Sequence, residues 1–155
     1  MKQRQEIFFN QLESFRDYLL KVADVTETEA EAIPKGFRNN IRWNLGHVYT
    51  EQYMWIKTLI NEEVDVPEQF EEWFGWDTSP EKFTSETPSL LELRALLKGQ
   101  LPKIKQAYGD RLEEAFPPTE IRGMTTIEQV LLWTSFHEGM HLQAIQDIKK
   151  CLHAE

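Results

Sequence analysis

Hydrophobic residues recur at intervals of three and four along four long segments of the chain, which is the spacing that gathers side chains on one face of an α-helix. The four segments span residues 3–25, 39–60, 89–116 and 125–152. No strand-like alternation of hydrophobic and polar residues persists in the sequence. The pattern therefore predicts an all-α fold, a four-helix bundle that forms a single domain over residues 1–155.

The predicted helices carry local signals for their ends and for the faces that they bury. Ser89 and Thr125 are each followed three residues later by a glutamate, the capping-box spacing at a helix start. Pro102 removes a backbone donor inside the third helix and should kink it. In the first helix, the predicted buried stripe consists of Phe8, Leu12, Phe15, Leu19 and Val22.

Helical periodicity disappears in the segment 61–88, the long irregular connection between the second and third helices. Prolines and a glycine interrupt it, and aromatic residues are frequent. Connections of this length are uncommon in compact domains and often form lids or binding loops. We expect the aromatic side chains to fold back on the bundle or to meet a partner, because they are too many to be left in water. Trp73 and Trp76 are the candidates for the wall of a pocket.

Composition and charge narrow the classes of function. Lys+Arg 17 against Asp+Glu 26 gives a formal net charge of -9. Binding to nucleic acid or to an acidic membrane surface depends on local positive charge, so the composition argues against both. The single cysteine, Cys151, rules out an intrachain disulfide and fits a reducing compartment. The sequence has neither a signal-peptide pattern nor a transmembrane run, and we expect a cytoplasmic protein.

Two histidines four residues apart, His137 and His141, lie in the apolar stripe of the fourth helix. That stripe faces the core, and two buried imidazoles need a partner, for which a divalent metal ion is well suited. His153 would lie about 18 Å along the same helix from His141, too far to join them. The remaining histidine, His47 in the second helix, is therefore the predicted third ligand.

Three imidazoles would leave coordination positions of a metal open for water or substrate, which is typical of a catalytic site rather than a structural one. The alternative for His47, His137 and His141 is a hydrogen-bonded polar cluster without a metal, because buried polar groups can also satisfy one another.

The segment from His137 to His141 reads HEGMH and so matches the HExxH pattern of zinc metalloproteases, in which the glutamate is the general base. Other features of that class are missing: Ala144 and Asp147 stand where a metzincin has glycine and histidine, and no edge strand is evident to align a peptide. The sequence therefore argues against a protease. For Glu138 three interpretations stay open: a catalytic base near the metal, a residue that orients a ligand, or a side chain that meets solvent.

Other polar side chains are candidates for supporting roles around the histidines. Asn44 and Glu51 lie about one turn before and one turn after His47, where either can accept a hydrogen bond from a ligand's second ring nitrogen. The alternative for both is an ordinary position at the surface or at an interface. Arg42 and Arg122 flank the relevant helices and are candidate partners for a carboxylate of the substrate.

The stretches WNLGH at 43–47 and HEGMH at 137–141 together resemble the motifs of the DinB-like (damage-inducible, YfiT-related) superfamily. The resemblance covers nearly the whole chain. It implies a four-helix bundle that binds a divalent metal, nickel or zinc in many cases, through the positions of His47, His137 and His141. It also implies frequent homodimers. Some members of the family are thiol S-transferases that use bacillithiol, or isomerases that use mycothiol.

Two hypotheses for the function follow. The first is a metal-dependent small-molecule enzyme, a thiol S-transferase or a hydrolase, in which the metal lowers the pKa of a low-molecular-weight thiol or of water, and that nucleophile attacks an electrophile under the segment 61–88. The alternative is a non-catalytic, metal-binding or partner-binding homodimeric bundle. An open coordination position beside a pocket would favour the enzyme.

Overall fold

The computed structural model describes residues 1–154, and no β-strand occurs in this range. The helices in chain order are α1 Gln3–Val22, α2 Glu27–Glu31, α3 Ile41–Ile60, α4 Gln69–Phe74, a 3-10 helix Pro80–Lys82, α5 Leu90–Tyr108, a 3-10 helix Gly109–Arg111 and α6 Ile127–Leu152. The predicted all-α bundle, with its long connection between the second and third long helices, is confirmed. None of the helices in the described range is both long and apolar enough to cross a membrane.

The four long helices, α1, α3, α5 and α6, form the bundle. α3 packs on α5 and α6, and α1 packs on the same two helices. The short helix α4 packs on a further face of α3, so residues on nearly every side of α3 are buried. A helix enclosed in this way lies at the centre of the core, and α3 is the helix that carries His47.

Side chains at the helix ends fix where α3 and α6 begin. The side chain of Asn40 accepts a hydrogen bond of 2.7 Å from a backbone N–H in the first turn of α3. In α6 the cap is Thr126 rather than the predicted Thr125: the Thr126 side chain accepts from the backbone N–H of Gln129 at 3.2 Å. The backbone N–H of Thr125 instead donates to the Gln129 side chain at 2.7 Å.

The buried face of α1 differs from the predicted stripe. Phe15, predicted to be buried, is 47% exposed, whereas Arg16 is only 2% exposed. Periodicity places a charged residue outside by default, but an arginine can be buried when its charge is paired. Here the partner is Glu138 on α6, at 2.9 Å. The buried residues of α1 are Gln5, Phe9, Leu12, Arg16 and Leu19.

The first two connections between the long helices each contain a short helix that periodicity did not reveal. α2 lies in the first connection and begins with a capping box of Thr26 and Glu29. α4 and the first 3-10 helix lie in the segment 61–88, most of which is irregular as predicted. The third long helix is shorter than predicted: α5 ends at Tyr108, where the backbone tightens into a 3-10 turn, so Phe116 lies outside it.

Gly46 allows α4 to lie directly against α3. A Cβ atom at this position would be 2.2 Å from Cδ1 of Phe74, well inside the contact distance of two carbon atoms. Because Gly46 has no side chain, the C-terminal end of α4 can lie beside the neighbouring His47.

Candidate metal centre

The 3.6-residue periodicity of α6 projects His137 and His141 from one face, one turn apart. Their ring centroids are 4.5 Å apart, and their Nε2 atoms are 3.1 Å apart. α3 supplies the third ring from across the core: the centroid of His47 lies 5.0 Å from that of His137 and 4.7 Å from that of His141. One nitrogen from each of the three rings lies within 4.8 Å of the other two.

The ring of His47 is held by two neighbours. On one face it stacks on Trp43, with centroids 4.5 Å apart and planes inclined by 15°. At its edge, Nδ1 lies 2.6 Å from the backbone oxygen of Phe74, the last residue of α4. A carbonyl oxygen can only accept a hydrogen bond, so Nδ1 carries the proton and Nε2 has a free lone pair.

The orientation of His141 follows from a chain of two hydrogen bonds. The side-chain nitrogen of Asn44 donates to the backbone oxygen of Asn40 at 2.8 Å, which fixes the direction of the amide group. The amide oxygen of Asn44 then faces Nδ1 of His141 at 2.7 Å. Because that oxygen can only accept, His141 also carries its proton on Nδ1 and keeps a lone pair on Nε2.

Burial keeps the three imidazoles neutral. Loss of hydration lowers the pKa of His47 to about 4, although its hydrogen bond to Phe74 acts in the opposite direction. Burial, followed by the charges of His47 and Arg122, lowers the pKa of His137 to about 4. Burial is the main cause that lowers the pKa of His141 to about 3. Repulsion from the protonated forms of His47 and His137 lowers it further. At neutral pH each ring therefore carries one proton, and no second proton competes with a metal for the other ring nitrogen.

The three residues fit a divalent transition metal. Neutral imidazole nitrogen is a preferred ligand of zinc, nickel, copper and iron. The 3.1 Å between the Nε2 atoms of His137 and His141 agrees with the roughly 2.9–3.4 Å expected for two nitrogens bonded at about 2.0–2.1 Å to one ion. Ring orientation by a backbone carbonyl and by an asparagine is the usual outer support of metal-binding histidines.

The three histidines open onto a pocket of about 510 Å³, a size typical of small-molecule sites. Trp43, Met140 and Ile148 contribute apolar surface to it. At the exposed rim, the guanidinium of Arg38 donates to a carboxylate oxygen of Asp77 at 2.7 Å and to its backbone oxygen at 2.9 Å.

Comparison with known protein families agrees with this geometry. Residues 11–145 match the family model described as the DinB superfamily. The chain belongs to the DinB superfamily. The matched range includes His47, His137 and His141, so the predicted resemblance is confirmed over most of the chain. No curated protein matches the chain.

In this DinB-superfamily protein the glutamate of the HExxH pattern is buried and paired with an arginine. Glu138 is 6% exposed. Its two carboxylate oxygens accept hydrogen bonds from Nε and Nη2 of Arg16, at 2.9 and 3.0 Å. Of the three interpretations of Glu138, the solvent-facing one is wrong. Engagement of both oxygens by Arg16 argues for a structural role rather than for proton transfer beside the three histidines.

Arg16 is the residue of this neighbourhood that sequence reasoning missed. Besides Glu138, its guanidinium donates to the backbone oxygen of Leu97 at 2.8 Å and to the side-chain oxygens of Gln100 and Gln52 at 3.1 and 3.3 Å. All five N–H groups therefore have acceptors. The available signal was the position of Arg16 in a stripe with Phe9, Leu12 and Leu19, at spacings of three and four.

The other predicted site residues lie in different places. Asn44 contacts His141, as predicted for a supporting residue, and Trp76 lines the pocket with 83% of its surface exposed. Trp73 is buried against Phe70 and does not line the pocket. Glu51 lines a separate cavity of about 300 Å³, where burial raises its pKa.

The two candidate arginines differ in their surroundings. Arg42 is engaged within the protein: it donates to the backbone oxygens of Thr87 and Pro88 and pairs with Glu31. The guanidinium of Arg122 instead stacks on the ring of Trp133, with Cζ 3.4 Å from the ring centroid.

Proposed function

We propose that this DinB-superfamily protein binds one divalent transition metal ion, nickel or zinc, through His47, His137 and His141, and that it is a small-molecule enzyme of the thiol S-transferase type. The observation that carries the proposal is the arrangement of the ring nitrogens. Three neutral imidazoles converge on one point, two with the free lone pair fixed on Nε2, and the point opens onto a pocket of about 510 Å³.

When bound, a divalent metal acts as a Lewis acid that lowers the pKa of a thiol or a water molecule beside it. The residues of the chain supply the rest. Phe74 and Asn44 orient two of the rings, and the apolar walls of the pocket hold a substrate away from bulk water. In the S-transfer that we propose, the thiol loses its proton, its sulfur bonds to an electrophilic carbon, and the leaving group departs with the bonding electron pair.

The charged groups around the pocket favour a thiol over a hydrolytic reaction with a general base. Among the described residues that line the pocket, Asp77 is the one carboxylate, and it is paired with Arg38 at the rim. Glu138 is bound by Arg16 in the core. A thiol ionises more readily than water, so it depends less on a separate base.

A second proposal is that the protein forms a homodimer, with or without catalysis. Aromatic and aliphatic side chains of α1 and α6 are exposed and line a common surface groove. Phe15 is 47%, Tyr18 53%, Leu132 55% and Phe136 64% exposed. Clustered apolar residues on a protein surface often mark a contact with another chain, and the molecular mass in solution tests this proposal.

The test of the metal centre is elemental analysis of untagged protein. We expect about one equivalent of transition metal in the wild type and its loss in His47→Ala, because two ring nitrogens bind much more weakly than three. His153→Ala is the matched control: His153 pairs with Glu29 outside the centre and should leave the metal content unchanged.

Turnover is then measured with low-molecular-weight thiols and chlorodinitrobenzene, in which a chloride ion is the leaving group. The proposal predicts thiol conjugation that depends on the metal and on His47. Absence of metal from the wild type, even after dialysis against nickel and zinc, would overturn the metal centre. Full metal loading without conjugation of any electrophile would favour the non-catalytic bundle.

A further inference from the structure

Arg122 differs from every other arginine of the protein. The chain has seven arginines, and six of them donate hydrogen bonds to carboxylate or carbonyl oxygens. Within residues 1–154 the guanidinium of Arg122 has no such acceptor, although Glu120 is only two residues away. It is held instead by the face of the Trp133 ring, 3.4 Å from Cζ.

This unpaired cation lies beside the metal centre. The ring of Trp133 is in contact with that of His137, with centroids 6.0 Å apart and planes inclined by 36°. One tryptophan ring therefore contacts both the Arg122 guanidinium and a histidine of the centre. The indole of Trp133 also packs against Trp55, so the bundle fixes the ring on which the guanidinium lies.

The backbone that presents Arg122 is also fixed. Arg122 and Gly123 both lie in the left-handed region, with φ of 71° and 61°. A residue with a side chain enters this region only where the surroundings impose it, frequently at binding sites. Here Thr119 imposes it: its N–H donates to the backbone oxygen of Met124 at 2.9 Å, and its hydroxyl oxygen accepts from the backbone N–H of Met124 at 3.0 Å.

A guanidinium that stacks on an aromatic ring keeps its N–H groups free, because they point outward in the plane of the guanidinium and not toward the ring. That geometry matches a carboxylate, whose two oxygens accept two parallel hydrogen bonds. A phosphate dianion would call for further donors, and Arg38, the arginine that lines the pocket, is neutralised by Asp77.

We propose that Arg122 is a specificity-determining residue that binds the carboxylate of the molecule whose other end reaches the three-histidine centre. The inference rests on the proposed function and narrows it: the thiol carries a carboxylate. In a protein with a formal net charge of -9, a carboxylate ligand is repelled unless a cation is kept free to receive it.

The experiment compares two thiols that differ only in charge, 3-mercaptopropionate and 3-mercaptopropanamide. Both are titrated at pH 7 into the cobalt-loaded protein, with sulfur-to-cobalt charge-transfer absorption as the readout. We expect the wild type to bind the carboxylate about fivefold more tightly than the amide, as expected for a charge-assisted hydrogen bond at an exposed site. Arg122→Gln should abolish this preference without changing the metal content, and Arg122→Lys should retain only part of it.

Arg94→Gln is the matched control, because it removes the same charge at a surface pair with Asp24; it should leave the preference unchanged. An equal affinity of the wild type for both thiols, or a preference that survives in Arg122→Gln, would overturn the inference and leave the metal centre standing. If the protein takes up no cobalt, or if neither thiol changes the spectrum, the proposed function fails and the inference fails with it.

Discussion

Two of the three histidines receive their orientation from different kinds of partner. His47 donates to a main-chain oxygen, that of Phe74, whereas His141 donates to the side chain of Asn44. The backbone partner is present whatever residue occupies position 74. The side-chain partner depends on residue identity, so a substitution of Asn44 removes the hydrogen-bond acceptor of His141 directly.

We expect Asn44→Leu to weaken metal binding by about 10–100-fold, the usual effect of removing the acceptor behind a metal-binding histidine. Without the amide oxygen, nothing favours the proton on Nδ1 of His141 over Nε2. Competition with a chelating indicator measures the affinity. Glu51→Gln is the control on the same helix, because Glu51 lines a different cavity. Equal affinities of the Asn44 variant and the wild type would contradict this role of the hydrogen bond.

At the scale of the elements, the centre depends on the contact between α3 and α4. Gly46 leaves the space into which the Phe74 ring packs. The backbone oxygen of Phe74 in turn accepts the hydrogen bond from His47. The irregular segment 61–88 therefore has a structural connection to the three-histidine cluster, through the last residue of α4.

Gly46→Ala should destabilise the metal-free protein by about 1–3 kcal/mol, since the added methyl group would collide with a buried ring. It should also weaken metal binding, because the Phe74 oxygen moves with the ring. Thermal unfolding and the indicator competition measure the two effects. Gly99→Ala is a matched control in the middle of α5, where a Cβ would meet nothing within 4 Å; there the same change should stabilise the helix by up to about 1 kcal/mol. A Gly46 variant as stable as the wild type would show that α4 can move away freely.

At the scale of the whole molecule, one buried cluster joins the four long helices. Arg16 of α1 is bound to Glu138 of α6, to Gln52 of α3, and to Leu97 and Gln100 of α5. A fully satisfied polar cluster fixes how helices are arranged more specifically than apolar contacts alone, because a shifted helix leaves charges unpaired. Glu138 follows His137 directly in the sequence, so this cluster also constrains the rotation of α6 about its axis.

Glu138→Ala should destabilise the metal-free protein by about 3–5 kcal/mol, since it leaves the buried charge of Arg16 without a partner. The double variant Arg16→Met, Glu138→Leu should recover most of this loss, because neither charge stays in the core. Urea unfolding gives both values. Asp147→Ala, which removes an exposed partner of Lys150, should have little effect. A double variant no more stable than Glu138→Ala would contradict the explanation by an unpaired charge.

The sequence by itself determined the features that depend on spacing along the chain. Four long helices, the common face of His137 and His141, and the long connection between the second and third helices all follow from local periodicity and its interruption. The paired motifs around His47 and His137 also sufficed to indicate the DinB superfamily, which the family match confirms.

The tertiary structure alone decided which distant side chains meet. The burial of Arg16, the engagement of Glu138, the contact of His47 with Phe74 and the stacking of Arg122 on Trp133 join residues on separate helices and turns. Helical periodicity reports which face a residue occupies, but it contains no information on what the neighbouring helix places opposite. A buried charge is stabilised only by such a partner. Periodicity therefore did not predict the burial of Arg16 and did not decide the role of Glu138, whereas the packing of the helices pairs the two residues in the core.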